Sequence, residues 1–477
     1  MEKAEKEERP RSSLYALEPL VRRMPEVAVP KRRVSFREKF MWTGIALLVF
    51  FIMTQVPLYG PAAREPFEDV NGNGIYDEGI DTFTDLNGNG VWNAGVQEFF
   101  GQLRYVLASH AGSLMELGIG PIVTAGIIMQ LLVGSKIIGL DLTNSDDRAL
   151  FTGVQKFGAL IMGLFEGAML VLAGHYGFGI GLGTPAGLFI LLQLTLGVVI
   201  VIYLDELVSK YGFGSGISLF ILGGVAMTVI WQALNPATGV IPNFAGAMLG
   251  GESFGDAFFR PGLPNMMGLF ATILIFFIVV YVENMRIEIP LAYGKFGGIR
   301  GRYPLKFLYT SVIPVILAMV VFANLRIVGA VLHAPWIAYY TSAPAGISGV
   351  AADPIHAVVY IALLVLLSMG FSWLWVNMTG MGPRDIAQQL DRSGMLIPGF
   401  RRDTRVMEWV LSRYIMTVAL LGGASVGLLS AGADALGALG SGTGILLAVS
   451  IMYSLYQEIA KERVAEMFPA VRRFLGE

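Results

Sequence analysis

The chain has 477 residues, of which 54% are hydrophobic and only 15% are charged. Soluble proteins average about 25% charged residues, so this composition indicates a membrane protein. A helix needs about 20 apolar residues to cross a bilayer, and the length therefore allows roughly ten crossings with their loops. The net charge of −2 argues against nucleic-acid binding by the chain as a whole. The absence of cysteine excludes disulfides, thiolate metal sites and cysteine nucleophiles.

The first 39 residues are polar and carry eleven Lys or Arg residues. They contain no apolar core, so we interpret them as a polar arm and not as a signal peptide. Within the arm, SLYALEPLVRRM, from Ser12 or Ser13 onward, has apolar residues at helical spacing beside paired arginines. This pattern predicts a short helix on a membrane surface, with a frayed tail as the alternative.

Ten apolar stretches follow, each long enough to span a bilayer: 40–59, 118–138, 154–173, 185–204, 215–234, 265–283, 307–330, 355–377, 411–431 and 437–456. An even number of spans places both termini on one side of the membrane. The segments on that side hold 30 of the 34 Lys and Arg residues, whereas the other side holds only Arg64, Arg104, Arg260 and Arg326. By the positive-inside rule, the sequence predicts a multi-pass protein of the cell membrane with both termini in the cytoplasm.

The stretch 61–98, after the first span, contains two copies of D-x-N-G-N-G-x-x-[DN]-x-G. Alternating oxygen-bearing side chains around a glycine turn, with a backbone carbonyl at position seven, are the arrangement that calcium loops use. The candidate ligands are Asp69, Asn71, Asn73, Ile75 and Asp77 in the first copy, and Asp85, Asn87, Asn89, Val91 and Asn93 in the second. Position twelve, usually a bidentate Glu, is Ile80 or Val96. Asn-Gly turns in a solvated loop are therefore the alternative to a calcium site.

Ionisable residues within the spans are few. Glu166 is the clearest, while Asp205, Glu206, Glu283 and Arg326 stand near span ends. An ion-coupled secondary transporter would need more charge at the midplane, so we keep that function as the alternative. The four histidines lack HExxH spacing, and the chain contains neither a P-loop nor a G-x-S-x-G elbow in strand–turn–helix context. The sequence predicts no metal centre built on histidine and no enzyme activity.

Two loops on the side of the termini, 283–310 and 379–414, are long and basic. Transporter loops are usually shorter, so these loops are candidates for a docking surface. The alternative is that their charges only fix the topology. The stretch 61–98 holds eight acidic residues and one Arg, so the near-neutral net charge averages two opposed faces. The basic face can therefore meet a nucleic acid through phosphate contacts without sequence readout.

Seven stretches closely resemble the archaeal SecY protein-conducting channel, of the translocon alpha-subunit family: EVAVPKRRVSFREKFMWTG (26–44), GIGPIVTAGIIMQLLVGSKII (118–138), DELVSKYGFGSGISLFI (205–221), RIEIPLAYG (286–294), YPLKFLYTSVIPVILAMVVFANL (303–325), DPIHAVVY (353–360) and GALGSGTGILLAVSIMYSLYQE (437–458). The resemblance extends in order over residues 26–477. It implies an all-α polytopic membrane protein, with ten transmembrane helices in two inverted five-helix halves around a central pore. It also implies passage of unfolded secretory polypeptides and release of transmembrane segments through a lateral gate.

The resemblance implies the following division of the chain: a cytoplasmic arm at 1–39; a first half at 40–234, with the extracellular insertion 61–98 and a plug at about 100–114; an extracellular linker at 235–264; a second half at 265–458, with the cytoplasmic loops 283–310 and 379–414; and a cytoplasmic tail at 459–477. The insertion is the main departure, because family members have a shorter linker there.

Matching the family motifs assigns residues to four roles. The pore ring is Ile119, Val123, Ile217, Ile221, Ile316 and Leu447. The plug includes Arg104, Ala108, Ser109, His110 and Gly112, and it is more polar than a strictly apolar stopper. The lateral gate includes Thr124, Glu166 and Asn324. The candidates for ribosome or partner docking are Arg300, Arg302, Lys306, Arg401 and Arg402.

The family also implies partners. These are a SecE-type subunit and a beta subunit in a heterotrimer, the ribosome, the signal-recognition-particle receptor, signal sequences, nascent chains and membrane lipid. No cofactor is expected to be required, and calcium in the insertion is the one candidate ion. Besides the ion-coupled secondary transporter, a lipid or protein insertase without a pore is a second rival.

Overall fold

The computed structural model describes residues 13–32, 34–61, 67–68, 82–83, 103–135, 137–140, 144–177, 180–260, 264–293, 300–392, 395–396 and 403–467. These residues are mostly helical, as the apolar composition predicts. A 3-10 turn at Ser13–Leu17 leads into the first helix. In chain order, the helices are α1 (Glu18–Val21), α2 (Phe36–Thr54), α3 (Leu103–Leu107), α4 (Gly120–Gly134), α5 (Ser145–Leu172), α6 (Pro185–Tyr211), α7 (Gly216–Leu234), α8 (Val240–Leu249), α9 (Phe254–Phe258), α10 (Met266–Asn284), α11 (Ile313–Val331), α12 (Pro335–Thr341), α13 (Gly346–Ala352), α14 (Pro354–Met378), α15 (Pro383–Arg392), α16 (Thr404–Ala435) and α17 (Gly442–Met467).

Within the described residues, eight helices are long and apolar enough to cross a membrane: α5, α6, α7, α10, α11, α14, α16 and α17. Two further apolar helices, α2 and α4, stand at the first and second predicted spans. The first turn of α2 carries Arg37, Glu38 and Lys39, which lower its mean hydropathy. These ten long helices correspond to the ten apolar stretches of the sequence.

Helix α4 is shorter than the predicted span 118–138. It begins at Gly120 because Gly118 has a φ of +54°, where a Cβ would overlap Leu107 O, and Pro121 fits the first turn. Its 15 residues rise about 22 Å, less than the roughly 30 Å of a bilayer core. The approach to α4 is therefore an irregular segment, which a hydropathy window cannot distinguish from a helix.

Other helices extend beyond their predicted spans. Helix α5 begins at Ser145, nine residues before the predicted 154, and α16 begins at Thr404. Both starts are capped, because the Asn144 side chain accepts from Asp146 N–H and the Asp403 side chain accepts from Arg405 N–H. These polar first turns have low hydropathy, so the apolar stretches underestimate the helices.

The connections between the ten long helices fall on two faces of the bundle. We define them by their described residues: the basic face holds those within 13–35, 135–144, 211–215, 285–312 and 379–403, and the plug face holds 55–61, 67–68, 82–83, 103–119 and those within 173–184, 235–264, 332–353 and 436–441. The first five long helices are α2 and α4–α7, and the last five are α10, α11, α14, α16 and α17. The two groups meet at two interfaces: the front seam, of α4 and α5 with α11 and α14, and the back seam, of α7 with α17.

The back seam is held at both faces. On the plug face, Gly440 N–H donates to Gln232 Oε1 at 2.8 Å. On the basic face, Gly214 N–H donates to Glu458 Oε1 at 3.1 Å, and α2 adds an ion pair to α17 between Lys39 and Glu462.

The arm contains the helix that its pattern predicts, but its apolar residues contact protein. Val21 packs so closely on α5 that a Cβ on Gly153 would overlap Val21 Cγ1. Leu14 and Leu17 pack in the same cluster, against Leu150 of α5. The first turns of α5 precede the predicted span 154–173, and they supply the apolar surface that the sequence pattern alone assigned to lipid.

The two long loops of the basic face join in one small sheet. Strands β3 (Arg286–Tyr293) and β4 (Arg300–Lys306) form an antiparallel hairpin in which Arg286 pairs with Lys306. Strand β5 (Met395–Leu396) comes from the other loop and pairs with β3, giving the order β4-β3-β5. Ile289 and Leu305 are buried beneath the sheet against α15 and α16. Two shorter strands that come earlier in the chain, β1 (Phe67–Glu68) and β2 (Thr82–Phe83), pair antiparallel on the plug face.

Candidate pore, plug and lateral seam

The six residues assigned to the pore ring belong to one apolar cluster, the largest of the bundle. They stand on α4 or its N-cap, α7, α11 and α17. Three are no more than 1% exposed and three are partly buried against them: Ile119, Ile221 and Leu447, then Val123, Ile217 and Ile316. Aliphatic side chains can yield to a passing polypeptide, yet they disfavour a continuous water column. The cluster is therefore suited to a constriction that limits ion flow.

Helix α3 and the turn that follows it lie against this cluster. The helix contacts α7, α11 and α17. Its Leu103, Val106 and Leu107 are each less than 5% exposed. Ala108 has a φ of +50°, which ends the helix, and its Cα lies 3.9 Å from where a Cβ on Gly224 would stand. Within the predicted plug, the described helix is therefore only five residues long.

The polar plug residues face a different environment. Arg104, Ser109 and His110 line an open cavity of about 600 Å³, together with residues of α2 and α7. The apolar residues of α3 face the central cluster instead. The segment thus has two faces, which accounts for a composition more polar than that of a simple apolar stopper.

The chain returns from the plug to α4 through residues 112–119, which we call the plug root. Leu58 N–H donates to Gly112 O at 2.8 Å. Pro57 and Ser113 face each other in an antiparallel bridge. The root is therefore paired with the segment that leaves α2.

Two buried residues of the root region were not assigned by the sequence reasoning. Glu116 is 1% exposed, and His175, in the turn after α5, is fully buried. His175 Nε2 lies 3.1 Å from Glu116 Oε1, and Gly112 N–H donates to Glu116 Oε2. The sequence signal that could have marked Glu116 is a carboxylate inside the apolar stretch LMELGIGPIV. No spacing rule links it to His175.

The three residues predicted at the lateral gate lie together in the front seam. Thr124 Oγ1 is 3.1 Å from Glu166 Oε1, and Asn324 Nδ2–H donates to Thr124 Oγ1 at 3.3 Å. Glu166 is only 4% exposed. Gly120 leaves space for its carboxylate, since a Cβ there would lie 3.3 Å from Glu166 Oε2. Because α4, α5 and α11 contribute one residue each, the cluster joins the two groups of helices.

The front seam is also closely packed near the basic face. A Cβ on Gly134 of α4 would overlap Cγ of Met378 on α14. The absence of a side chain at Gly134 therefore lets α4 and α14 approach each other closely at this point.

A second buried polar network lies among α11, α12, α14 and α16, beneath α3. Arg326 Nε–H donates to Thr341 Oγ1 at 3.1 Å, and Tyr360 Oη–H donates to Asp434 Oδ2 at 2.9 Å. With residues of α3, these side chains line a cavity of about 10 Å³, which is close to the minimum for one water molecule. The sequence reasoning placed Arg326 at a span end and did not assign Asp434.

The docking candidates stand on the sheet of the basic face or outside the described residues. Arg302 and Lys306 are exposed on β4, and Arg302 forms an ion pair with Glu288 of β3. Arg300 begins β4. The candidates outside the described residues are Arg401 and Arg402.

All ten candidate calcium ligands, in the ranges 69–77 and 85–93, lie outside the described residues. The described parts of the chain contain no group of three or more His, Cys, Asp or Glu residues placed to hold a metal ion. Calcium binding by the insertion stays a prediction.

Comparison with known proteins gives one consistent result. The family whose profile matches the chain is SecY, over residues 113–456. The chain is 43% identical to the protein translocase subunit SecY of Pyrococcus furiosus, over 98% of this chain and 99% of that protein. It is 42% identical to the subunit of the same name in Pyrococcus horikoshii, over 97% and 98% of the two chains.

Solved structures agree with these relatives. One described as a protein-conducting channel has a TM-score of 0.76 and 40% identity, covering 95% of this chain and 99% of its own. A second, with a TM-score of 0.74 and 39% identity over the same shares, concerns a SecY plug domain that stabilises the closed state. A third is Sec61 in the canine ribosome–channel complex, with a TM-score of 0.73, 38% identity and again 95% and 99% coverage.

Proposed function

The chain belongs to the SecY family and is a subunit of a protein-translocation channel, and we propose that it passes unfolded polypeptides through the cluster of six aliphatic residues. The observation that supports this proposal is that all six residues belong to the apolar core shared by both groups of helices, on which α3 packs through α7, α11 and α17. An ion-coupled secondary transporter finds no support in the relatives described above.

A nascent chain held in the pore tests the proposal directly. A photoreactive group at Ile217 or Ile316 should crosslink to a stalled secretory precursor in reconstituted vesicles. The same group at Phe277, which is 64% exposed on α10, is the matched control and should react with lipid. A nascent chain that crosslinks equally at both positions would contradict the pore assignment.

Thr124, Glu166 and Asn324 are proposed to close the lateral gate, and α3 with the following turn is proposed to seal the resting pore. Hydrogen bonds between transmembrane helices contribute only about 0.6–2 kcal/mol each. A signal sequence that inserts between α4 and α11 can therefore break the polar cluster of the front seam. The apolar face of α3 supports its role, because Leu103, Val106 and Leu107 are buried against the aliphatic cluster.

The basic face is proposed to be cytoplasmic, with both termini on it, because it carries most of the Lys and Arg residues. The division of the chain at 1–39, 40–234, 235–264, 265–458 and 459–477 follows from this topology. Translocation is proposed to need a SecE-type subunit, a beta subunit and the ribosome, with the signal-recognition-particle receptor as a further partner. No enzymatic step in this chain is needed for that role.

The ribosome is proposed to bind the joined loops of the basic face. Exposed Arg302 and Lys306, together with Arg300, Arg401 and Arg402, would contact phosphate groups. Charge reversal at Arg401 should lower ribosome affinity and reduce the salt dependence of binding. Charge reversal at Arg22, an exposed arginine of the arm, is the control. Unchanged affinity in the Arg401 variant would remove that residue from the site.

The insertion 61–98 is proposed to bind calcium on the outer face, where weak sites can fill. Calorimetry on the full chain should show calcium binding that is lost when Asp69 and Asp85 are both replaced by Ala. Equal heats for both proteins would favour Asn-Gly turns without a bound ion.

A further inference from the structure

The segment 103–119 is held in two different ways along its length. Its first part, residues 103–110, which we call the plug tip, packs through apolar side chains on α7, α11 and α17. The plug root, residues 112–119, is bonded through its backbone to the segment after α2. Gly197 of α6 also approaches the root so closely that a Cβ would overlap Leu114 O. The tip therefore touches both groups of helices, whereas these contacts of the root are all with the first five.

The Glu116 carboxylate strengthens this difference. A buried carboxylate is costly unless its oxygens are engaged by donors. Oε1 lies 3.1 Å from His175 Nε2, and Oε2 accepts from Gly112 N–H. Gly112, with a φ of +66°, is the turn between tip and root. One side chain thus joins that turn to the end of α5.

His175 is itself fixed in place. Its backbone N–H donates to Leu170 O at 3.2 Å, which closes the last turn of α5. Its ring meets the Tyr176 ring edge-on, with 4.7 Å between centroids. The imidazole is therefore a rigid part of the first group of helices.

We propose that Glu116 and His175 anchor the plug root to the first five long helices, so that the plug tip alone leaves the pore and pivots at Gly112. The inference rests on the proposed plug function. In this arrangement, separation of the two groups of helices removes apolar contacts of the tip on α11 and α17. The root keeps its bonds to the segment after α2 and to His175, while the two backbone bonds that join it to the tip break: His110 N–H to Met115 O and Ile119 N–H to Leu107 O.

Paired crosslinks test the pivot. The chain contains no cysteine, so engineered pairs form without background. Pro57→Cys with Ser113→Cys locks the root, because these residues face each other in an antiparallel bridge. Ala108→Cys with Gly224→Cys locks the tip, where a Cβ on Gly224 would lie 3.9 Å from Ala108 Cα. Both variants are assayed in the reconstituted heterotrimer, oxidised and reduced.

The root lock should leave translocation within about twofold of the reduced protein, while the tip lock should reduce it by about tenfold or more. A root lock that stops translocation would overturn the anchor, whatever the tip lock does. A tip lock that leaves translocation unchanged would instead overturn the plug function.

Substitutions test the anchoring pair itself. Glu116→Ala or His175→Phe leaves a buried polar partner unpaired, so ion leakage through the resting channel should rise several-fold. The double variant Glu116→Leu/His175→Leu should leak less than either single variant, because neither polar side chain is left without the other and only Gly112 N–H loses its acceptor. Tyr176→Phe is the matched control: its buried hydroxyl has no hydrogen-bond partner among the described residues. Single variants that leak no more than Tyr176→Phe would overturn the anchor, and if they do not fold, the root lock decides.

Discussion

The front and back seams join the same two groups of helices by different chemistry. In the front seam, contacts run through side chains: the hydroxyl of Thr124, the carboxylate of Glu166 and the amide of Asn324. In the back seam, backbone N–H groups of Gly214 and Gly440 donate to side chains of the opposite group. Side chains can change rotamer and partner more readily than a backbone in a tight turn. From this difference we expect the front seam to open and the back seam to act as the hinge.

The largest effect should come from a thiol-specific crosslink across the front seam, compared with the same crosslink beside the back seam. A short crosslinker between Thr124→Cys and Asn324→Cys should reduce insertion of transmembrane segments by about tenfold or more, because it prevents opening. The same reagent between Lys39→Cys and Glu462→Cys, which are an ion pair in the native chain, should leave insertion within about twofold. Equal inhibition by both crosslinks would remove the distinction between gate and hinge.

Replacing one glycine in each seam by alanine should distinguish opening of the front seam from a loss of folding stability. Gly134→Ala pushes against Met378, and overpacking of about 1–3 kcal/mol should favour the open front seam. Resting ion leakage should then rise, and Met378→Ala should suppress it in the double variant.

At the back seam, Gly440→Ala should behave differently. Gly440 has a φ of +69°, and a Cβ there would lie 2.9 Å from Val229 Cγ2. The free energy of unfolding of the variant should fall by about 1–2 kcal/mol, seen as a lower unfolding temperature. Ion leakage through the resting channel should not rise. Leakage in this variant equal to that of Gly134→Ala would contradict the assignment of the hinge.

Loss of the amide in Asn324→Leu should have a smaller effect. One interhelical hydrogen bond of about 0.6–2 kcal/mol changes the ratio of open to closed seam by roughly three- to thirty-fold. Precursors with weak signal sequences should therefore be translocated better, as measured by protease protection in vesicles. Leu325→Asn, at a neighbouring position that is 41% exposed, is the control. Unchanged translocation in Asn324→Leu would argue that the polar cluster is static.

The ion pair between α2 and α17, beside the back seam, should contribute least. Lys39 and Glu462 retain 24% and 17% of their side-chain exposure. Lys39→Met should cost about 0.2–1 kcal/mol at low salt and less at high salt, as measured by thermal unfolding. A large loss that salt does not change would mean that the pair is a stronger tie than its exposure indicates.

The sequence predicts the parts of this fold that depend on local composition. Hydropathy locates the long helices, and charge places 30 of the 34 Lys and Arg residues on one face. Hydropathy fails at α4, because the left-handed conformation of Gly118 delays the start of the helix to Gly120 within a stretch that is mostly apolar. It also misses the first turns of α5 and α16, whose polar caps continue each helix beyond its apolar span.

The candidate site also contains residues that the sequence identifies and residues that it does not. Thr124, Glu166 and Asn324 were identified by motif, and they meet in space. Glu116 and His175 were not, because a pair of buried polar groups 59 residues apart leaves no periodic pattern. Only the return of the chain after α5 brings the imidazole to the carboxylate. Roles in gating and docking depend on motion and on partners, which neither hydropathy nor a single conformation specifies.

Strand β5 gives the basic face a mechanical property. The β3–β4 hairpin connects α10 to α11, and β5 lies on the connection from α14 and α15 to α16. The sheet therefore ties together the ends of four of the last five long helices. A partner bound to the sheet therefore contacts the connections of all four helices at once, and its binding can restrain them together.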